Sequence, residues 1–375
     1  SLLFALFPRV FFSSYIPAME ISALRNVLDP QQLGGLIDNL ETVRISIFTS
    51  DAWRSFFIIL LGTGLILLFY AKKSFKPLWL ILGIGAICLV DLWQVDKRYL
   101  HDDLFEPKTV VTNTFRKTKT DEIILQDPAI NYRVLDLSVS TFNDNTAAYW
   151  HKSIGGYHPA KLRRYQEMID HYIAPEMQPA MKAIAEAGGD MEQVDPNIFP
   201  VLNMLNTKYF IMPISQTETV PIQNPYAFGN AWFVKDIRYV DNANQEIDEI
   251  GKVNLYETAI VNKRFSDILG GITQTQTDSL ATITQESYEP NHLVFKSNST
   301  SDGIAVFSEI YYPDWEITID GNPVEFGCAN YILRVLPIPA GEHTIEMRFD
   351  PQSVHTTETI AYIAFALLLL GIIGY

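Results

Sequence analysis

Two charge-free apolar runs, residues 56–70 and 78–90, flank the basic loop Ala71-Lys-Lys-Ser-Phe-Lys-Pro77, and this arrangement limits what the chain can fold into more than any other feature. Each run is shorter than the roughly 20 residues that cross a bilayer core as a helix. The amphipathic flanks Ala52-Trp53 and Asp91-Leu-Trp93 can lengthen them. Residues 1–7 form a third apolar run and residues 360–375 a fourth. With no cap or targeting signal at either, both are expected to be truncated membrane helices. Short Lys-rich loops stay on the cytoplasmic side, so Lys72, Lys73 and Lys76 are expected inside the cell and residues 91–356 outside it. Trp53, Trp79 and Trp93 fall near helix ends, where interfacial aromatics sit. The expected location is the cell (inner) membrane, crossed several times.

Charge divides along the same lines. Residues 91–355 hold 37 acidic and 21 basic side chains, a net of −16, within a chain whose overall net charge is −15. Such an acidic domain argues against nucleic acid as a partner. Cys88 lies in an apolar run and Cys328 far downstream, so no disulfide framework and no thiolate metal site is expected. The sequence has no Walker loop, CxxC pair, dinucleotide fingerprint or Ser-His-Asp ordering, and no metal or cofactor is expected.

Periodicity gives the fold class: membrane α-helical segments plus an extracytoplasmic α+β module and a C-terminal β-sandwich. Residues 1–90 are read as transmembrane helices with an outer loop over about 13–52. Within that loop, residues 32–47 place Leu33, Leu36, Ile37, Leu40, Val43 and Ile47 at helical spacing, as a helix on the membrane surface would. Thr49 or Ser50 would then cap the next helix. Residues 91–270 mix both periods: strands at 132–137, 209–212, 231–234 and 253–256, helices at 159–173 and 179–187. Residues 271–356 read as a sandwich that closes within itself, with short strands separated by Asp320-Gly-Asn-Pro323 and Pro339-Ala-Gly341. Residues 357–375 are the truncated last membrane helix.

One stretch stands apart, Trp150-His-Lys-Ser-Ile-Gly-Gly-Tyr-His-Pro-Ala-Lys-Leu-Arg-Arg-Tyr165. It places His151, Lys152, Tyr157, His158, Lys161, Arg163 and Arg164 around a Gly-Gly pair. Glycine permits close backbone approach, and Pro159 suits the first turn of a helix. Cations beside a helix start make a phosphate seat. These seven are the phosphate- or substrate-binding candidates. Leu162 and Tyr165 would face the core, leaving Lys161 and Arg164 outward. In the β-region, Tyr312, Trp315 and Tyr331 are candidates for stacking on sugars. No catalytic residue can be assigned from spacing.

These passages, with Asp91-Leu-Trp-Gln-Val-Asp-Lys-Arg-Tyr-Leu100, Tyr311-Tyr-Pro-Asp-Trp-Glu-Ile-Thr-Ile-Asp-Gly321 and Pro337-Ile-Pro-Ala-Gly-Glu-His-Thr-Ile-Glu346, resemble the C-terminal half of the YfhO-like bacterial membrane proteins, in their Bacteroidetes-type form. The resemblance implies a polytopic glycosyltransferase of the GT-C type. It would take sugar from a polyprenyl-phosphate donor and pass it to a cell-surface polymer, with its catalytic carboxylate in an outer loop that this sequence does not contain. The alternative is a non-catalytic envelope protein that binds, assembles or exports polymer. The partners implied are the lipid bilayer, a polyprenyl-phosphate sugar and a surface polymer.

Overall fold

The computed structural model describes every residue except 13, 26–28, 216, 277–279 and 375, and the chain forms two compact units, Ser1–Val110 and Val111–Tyr375. Tyr375, the end of the last apolar run, thus lies outside the described residues, as does part of the outer loop.

The first unit is a helical hairpin with short helices packed on it. One helix runs unbroken over Pro30–Ala71, 42 residues, so the surface helix and the membrane helix expected as two elements are one. Residues 47–52 contain neither Gly nor Pro, and nothing there removes a backbone donor, so Thr49 and Ser50 are interior positions and not caps. At 1.5 Å per residue the helix is about 63 Å long, roughly twice a bilayer core. Helix Pro77–Tyr99 returns alongside it after the Lys loop, with Pro77 at its first turn. A Cβ on Gly83 would meet the Leu65 side chain at 3.0 Å, which marks the close approach of the two helices. Away from the Lys loop, Arg54 pairs with Asp91 at 3.4 Å and Arg98 with Asp51 at 2.8 Å. The apolar run 1–7 forms the short helix Leu2–Leu6, and a second short helix, Pro8–Phe11, follows after a break at Pro8. Their Phe4, with Phe12, packs on Phe48 of the long helix.

The second unit contains three sheets. Strands β1 (Arg133–Asp136), β2 (Thr207–Pro213) and β3 (Thr219–Gln223) form a small sheet in that order, β1 and β2 parallel. Leu135 and Phe210 enter the main core on one face, while Val134, Tyr209 and Ile211 pack with Ile124 on the other. Strands β4 (Ala231–Val234), β5 (Asp236–Val240), β6 (Thr258–Asn262), β7 (Thr282–Glu289), β8 (His292–Ser299), β9 (Gly303–Ile310), β10 (Trp315–Ile319), β11 (Asn322–Val324), β12 (Gly327–Ala329), β13 (Leu333–Ile338) and β14 (Gly341–Phe349) build two more. One is five-stranded, β11-β10-β14-β8-β7; the other is six-stranded, β4-β9-β13-β12-β6-β5. Their facing sides bury Phe295, Ile317, Ile345 and Met347 against Ala305, Phe307 and Leu336. The expected turn at Asp320 and Gly321 joins β10 to β11 with both residues at positive φ, as a two-residue hairpin loop requires.

Residue 271 is no boundary in this arrangement, and the sandwich does not close within 271–356. The six-stranded sheet takes β4, β5 and β6 from upstream and β9, β12 and β13 from downstream. Its second face, including Ile304, Val306 and Val335, packs into the same core as Met168, Ile173 and Ile184 of the helical run 163–186. The strand expected at 253–256 is a turn, because the Asn254 side chain accepts the Tyr256 N–H at 3.0 Å and offers the backbone a local alternative. The expected helix at 159–173 begins only at Arg163 and continues without a break through the π-helical turn Ile169–Ile173 to Glu186.

Within that core Glu176 is buried and accepts the Val201 and Leu202 N–H groups, each at 3.0 Å, at the start of helix Pro200–Met204. Burial pushes its carboxyl up to about 8, against the pull of those two donors. In the unfolded chain it returns to about 4.3. The folded state therefore holds a proton that the unfolded state gives up, and this stabilisation is lost as pH rises from about 5 through 8. Denaturant unfolding of the whole chain should show stability falling over that window, and Glu176→Gln should flatten the fall. An unchanged slope in the variant would assign the pH dependence elsewhere.

Among the described residues three helices are long and apolar enough to cross a membrane: Gln32–Ala71, Pro77–Leu104 and Gln352–Ile373, with 6%, 0% and 0% of their apolar windows buried within the chain. Apolar surface on that scale is left to a bilayer to cover.

Candidate functional site

Beside the six-stranded sheet lies a cleft of about 280 Å³, lined by Arg163, Arg164 and Arg264 together with Tyr311, Tyr312 and Tyr331. The loop before the helical run is set by Gly155 and Gly156. A Cβ at Gly155 would overlap the Thr141 carbonyl oxygen, which accepts the Gly156 N–H at 2.7 Å. Gly156 itself has φ +110°. Close approach, the role expected of this pair, is what the fold makes of it. Tyr165 then ties the helical run back to the loop, its hydroxyl donating to the Ile154 carbonyl at 2.8 Å.

The sequence-predicted residues divide sharply. His151 is buried and bonded to Asp121 at 2.8 Å, so it holds the fold and cannot meet a ligand. Although burial opposes it, bonds from His151 and Thr118 keep the Asp121 carboxyl below its ordinary range. Lys152 is half-buried, donates to Asn131 at 2.6 Å and rests on the Tyr288 ring, away from the cleft. Burial pulls its ammonium down to about 7, with nearby Glu309 opposing. Tyr157 and His158 are exposed outside the cleft, where His158 accepts the Ala160 N–H at 3.1 Å. Lys161 lies 5.5 Å from the Phe142 ring centre. Leu162, expected in the core, is 40% exposed at the cleft wall, because the helix starts one residue later. Trp315 is outside this cleft, and Tyr331, only 4% exposed, cannot offer an open face to a sugar.

What remains is a constellation around Tyr331. Its φ is +72°, a conformation that costs a bulky residue free energy. Four contacts hold it there. Its N–H donates to Glu246 at 3.2 Å, and its carbonyl accepts from Arg164 at 2.7 Å. The Arg164 guanidinium lies 4.5 Å from its ring centre, and its hydroxyl donates to Glu167. Burial and Glu167 push that hydroxyl up to about 12. The Tyr331 bond, then Arg163, hold Glu167 below the ordinary carboxylate range, so it stays ionised. Glu246 is fully buried; burial raises its carboxyl, and Arg164, 3.4 Å away, opposes the rise. Arg164, expected outward and available, is therefore a bound structural cation.

Two cations are left for a ligand. The Arg163 side chain is 91% exposed, with one surface bond to Glu167 at 2.9 Å. Arg264 is exposed and stacked on Phe265 at 4.4 Å, with no ion pair among the described residues. Guanidinium forks match phosphate oxygens in pairs. The two carboxylates beside the cleft, Glu167 and Glu246, are both bonded to arginine or tyrosine. Arg264 and Glu246 carried no signal in the sequence: Arg264 follows β6, which joins the sheet through its pairing with β12, and Glu246 lies on helix Ala243–Ile250.

Among the described residues no group of three or more His, Cys, Asp or Glu side chains converges as a metal site would require. No curated protein and no solved structure matches the chain. Residues 247–361 match the family model described as bacterial membrane protein YfhO. That stretch covers β6 to β14, with Arg264 and all three cleft tyrosines, and enters the last apolar helix. Over that stretch the chain is similar to the bacterial membrane protein family YfhO, and three helices among the described residues are long and apolar enough to cross a bilayer.

Proposed function

We propose that this chain serves a polytopic membrane glycosyltransferase of the GT-C type, and that its outer domain receives the phosphate-bearing partner, a polyprenyl-phosphate sugar or the surface polymer. The observation that carries the reading is the pair Arg163 and Arg264, two available guanidinium groups at one cleft within a stretch of net charge −16. A local positive opening in an acidic surface selects anions. Charge-assisted contacts are worth about 1.5–3 kcal/mol each, so losing both should weaken phosphate recognition about 100-fold or more. Arg163→Gln with Arg264→Gln should abolish polymer glycosylation in cells while leaving membrane expression intact, since exposed pairs contribute only about 0–1 kcal/mol to stability. Undiminished glycosylation would end the reading. Intact glycosylation with failed polymer export would favour the non-catalytic envelope protein.

The same proposal places residues 91–356 outside the cell membrane and Lys72, Lys73 and Lys76 inside. Asp241, exposed with its side chain paired to Lys263 at 2.5 Å, is a tolerant reporter position. Asp241→Cys should react with a membrane-impermeant maleimide on intact cells, and Ser74→Cys should not. The opposite pattern would invert the topology.

A further inference from the structure

A second depression, of about 630 Å³, shares Tyr311 with the arginine cleft and is lined also by Trp315, Phe326, Thr318, Glu316 and Glu325. Its composition differs from the cleft's: aromatic rings and carboxylates, without a cation. Tyr311 is fixed against Phe265 and Phe326, with ring centres 5.7 and 5.4 Å away. Trp315 rests on Arg334, whose guanidinium lies 3.8 Å from its ring centre, and leans on Phe349 at 5.4 Å. Arg334 is 2% exposed, and its Nε donates to the Ile310 carbonyl at 3.2 Å. Burying an arginine is unfavourable unless something is gained, and here it props a half-buried indole at the trough wall. Glu316 and Glu325 are exposed and make no ion pair among the described residues. Flat rings with nearby carboxylate acceptors match the alternating C–H faces and hydroxyl donors of a sugar.

We propose that this trough holds a neutral saccharide segment, with Trp315 and Tyr311 as stacking platforms and Glu316 and Glu325 accepting its hydroxyls. Because Tyr311 walls both depressions, the segment is contiguous with the phosphate bound at Arg163 and Arg264; this continuity rests on the phosphate reading of the cleft, while saccharide binding itself does not. One ligand, a glycan carrying a phosphate, thus satisfies both halves.

The test uses the full chain in lipid nanodiscs, titrated separately with cellotetraose, maltotetraose, N-acetylchitotetraose and inorganic pyrophosphate. At least one neutral tetrasaccharide should bind saturably, and Glu316→Ala with Glu325→Ala should weaken it about 10-fold or more, the loss of one or two hydrogen bonds, while pyrophosphate binding stays unchanged. Arg163→Gln with Arg264→Gln should do the reverse. The proposal is overturned if no tetrasaccharide binds at about 10 mM, a barely measurable affinity, or if the Glu variant binds as wild type. Either result with pyrophosphate binding intact leaves the arginine cleft standing.

Discussion

Arg164→Ala is expected to cost about 3–5 kcal/mol of stability, the range for leaving a buried partner charge alone. The partner is Glu246, which has no exposed surface and lies 3.4 Å from the guanidinium. The same change removes the donor to the Tyr331 carbonyl at 2.7 Å and the cation from its ring. Tyr331 would then hold φ +72° with half its support. For a unit of this size the melting temperature should fall by roughly 10 °C. Arg164→Met with Glu246→Gln should recover a good part of the loss. It removes the orphaned charge and keeps an acceptor for the Tyr331 N–H, which Glu246 receives at 3.2 Å. The deficit of the single variant should shrink at acid pH, because burial already raises the Glu246 carboxyl and protonation neutralises it. Thermal unfolding of both variants at pH 5 and 8 checks this. A single variant as stable as wild type would show that Arg164 is a solvated surface charge.

Gly155→Ala should be nearly as damaging although it adds one methyl group. That methyl would overlap the Thr141 carbonyl oxygen and lie 2.6 Å from the Thr141 methyl. Both neighbours are fixed: Thr141 is buried, and its hydroxyl donates to the Asp136 carbonyl at 2.8 Å. The chain must separate there, breaking the bond from Gly156 N–H to Thr141 at 2.7 Å. Overpacking costs about 1–3 kcal/mol and a lost hydrogen bond about 1 more. The displacement would also reach the cleft, since Tyr165 holds the loop at Ile154 and adjoins Arg164. Gly62→Ala is the control, because a Cβ there meets nothing within 4 Å. It should change stability by no more than about 1 kcal/mol. Equal behaviour of the two alanine variants in denaturant melts would remove the argument for close approach.

The sequence made the membrane helices and most β-strands legible because both rest on local pattern. The hairpin loop at Asp320 and Gly321 and strands β8, β9, β10 and β14 lie where alternation and turn residues place them. The division at residue 271 failed for a physical reason. Gly303-Ile-Ala-Val-Phe307 is a continuous apolar run, which marks a strand buried on both faces. A strand of that kind needs a layer on each face. The helical run 163–186 covers the second face, and β6, followed by Arg264, joins the same six-stranded sheet. The basic stretch at 151–164 was conspicuous by composition, but composition does not separate a cation with a buried carboxylate partner from one without. Arg164 and His151 found theirs in Glu246 and Asp121, which are 82 and 30 residues away. Partners that remote are set by topology alone.

Titration calorimetry of inorganic pyrophosphate into the full chain in nanodiscs addresses the cleft most directly. Arg163 and Arg264 should give saturable binding that weakens with added salt, as interactions between exposed charges do. Arg163→Gln with Arg264→Gln should lower the affinity about 100-fold with an unchanged melting temperature. Absence of saturable binding, or equal affinity in the double variant, would contradict the account.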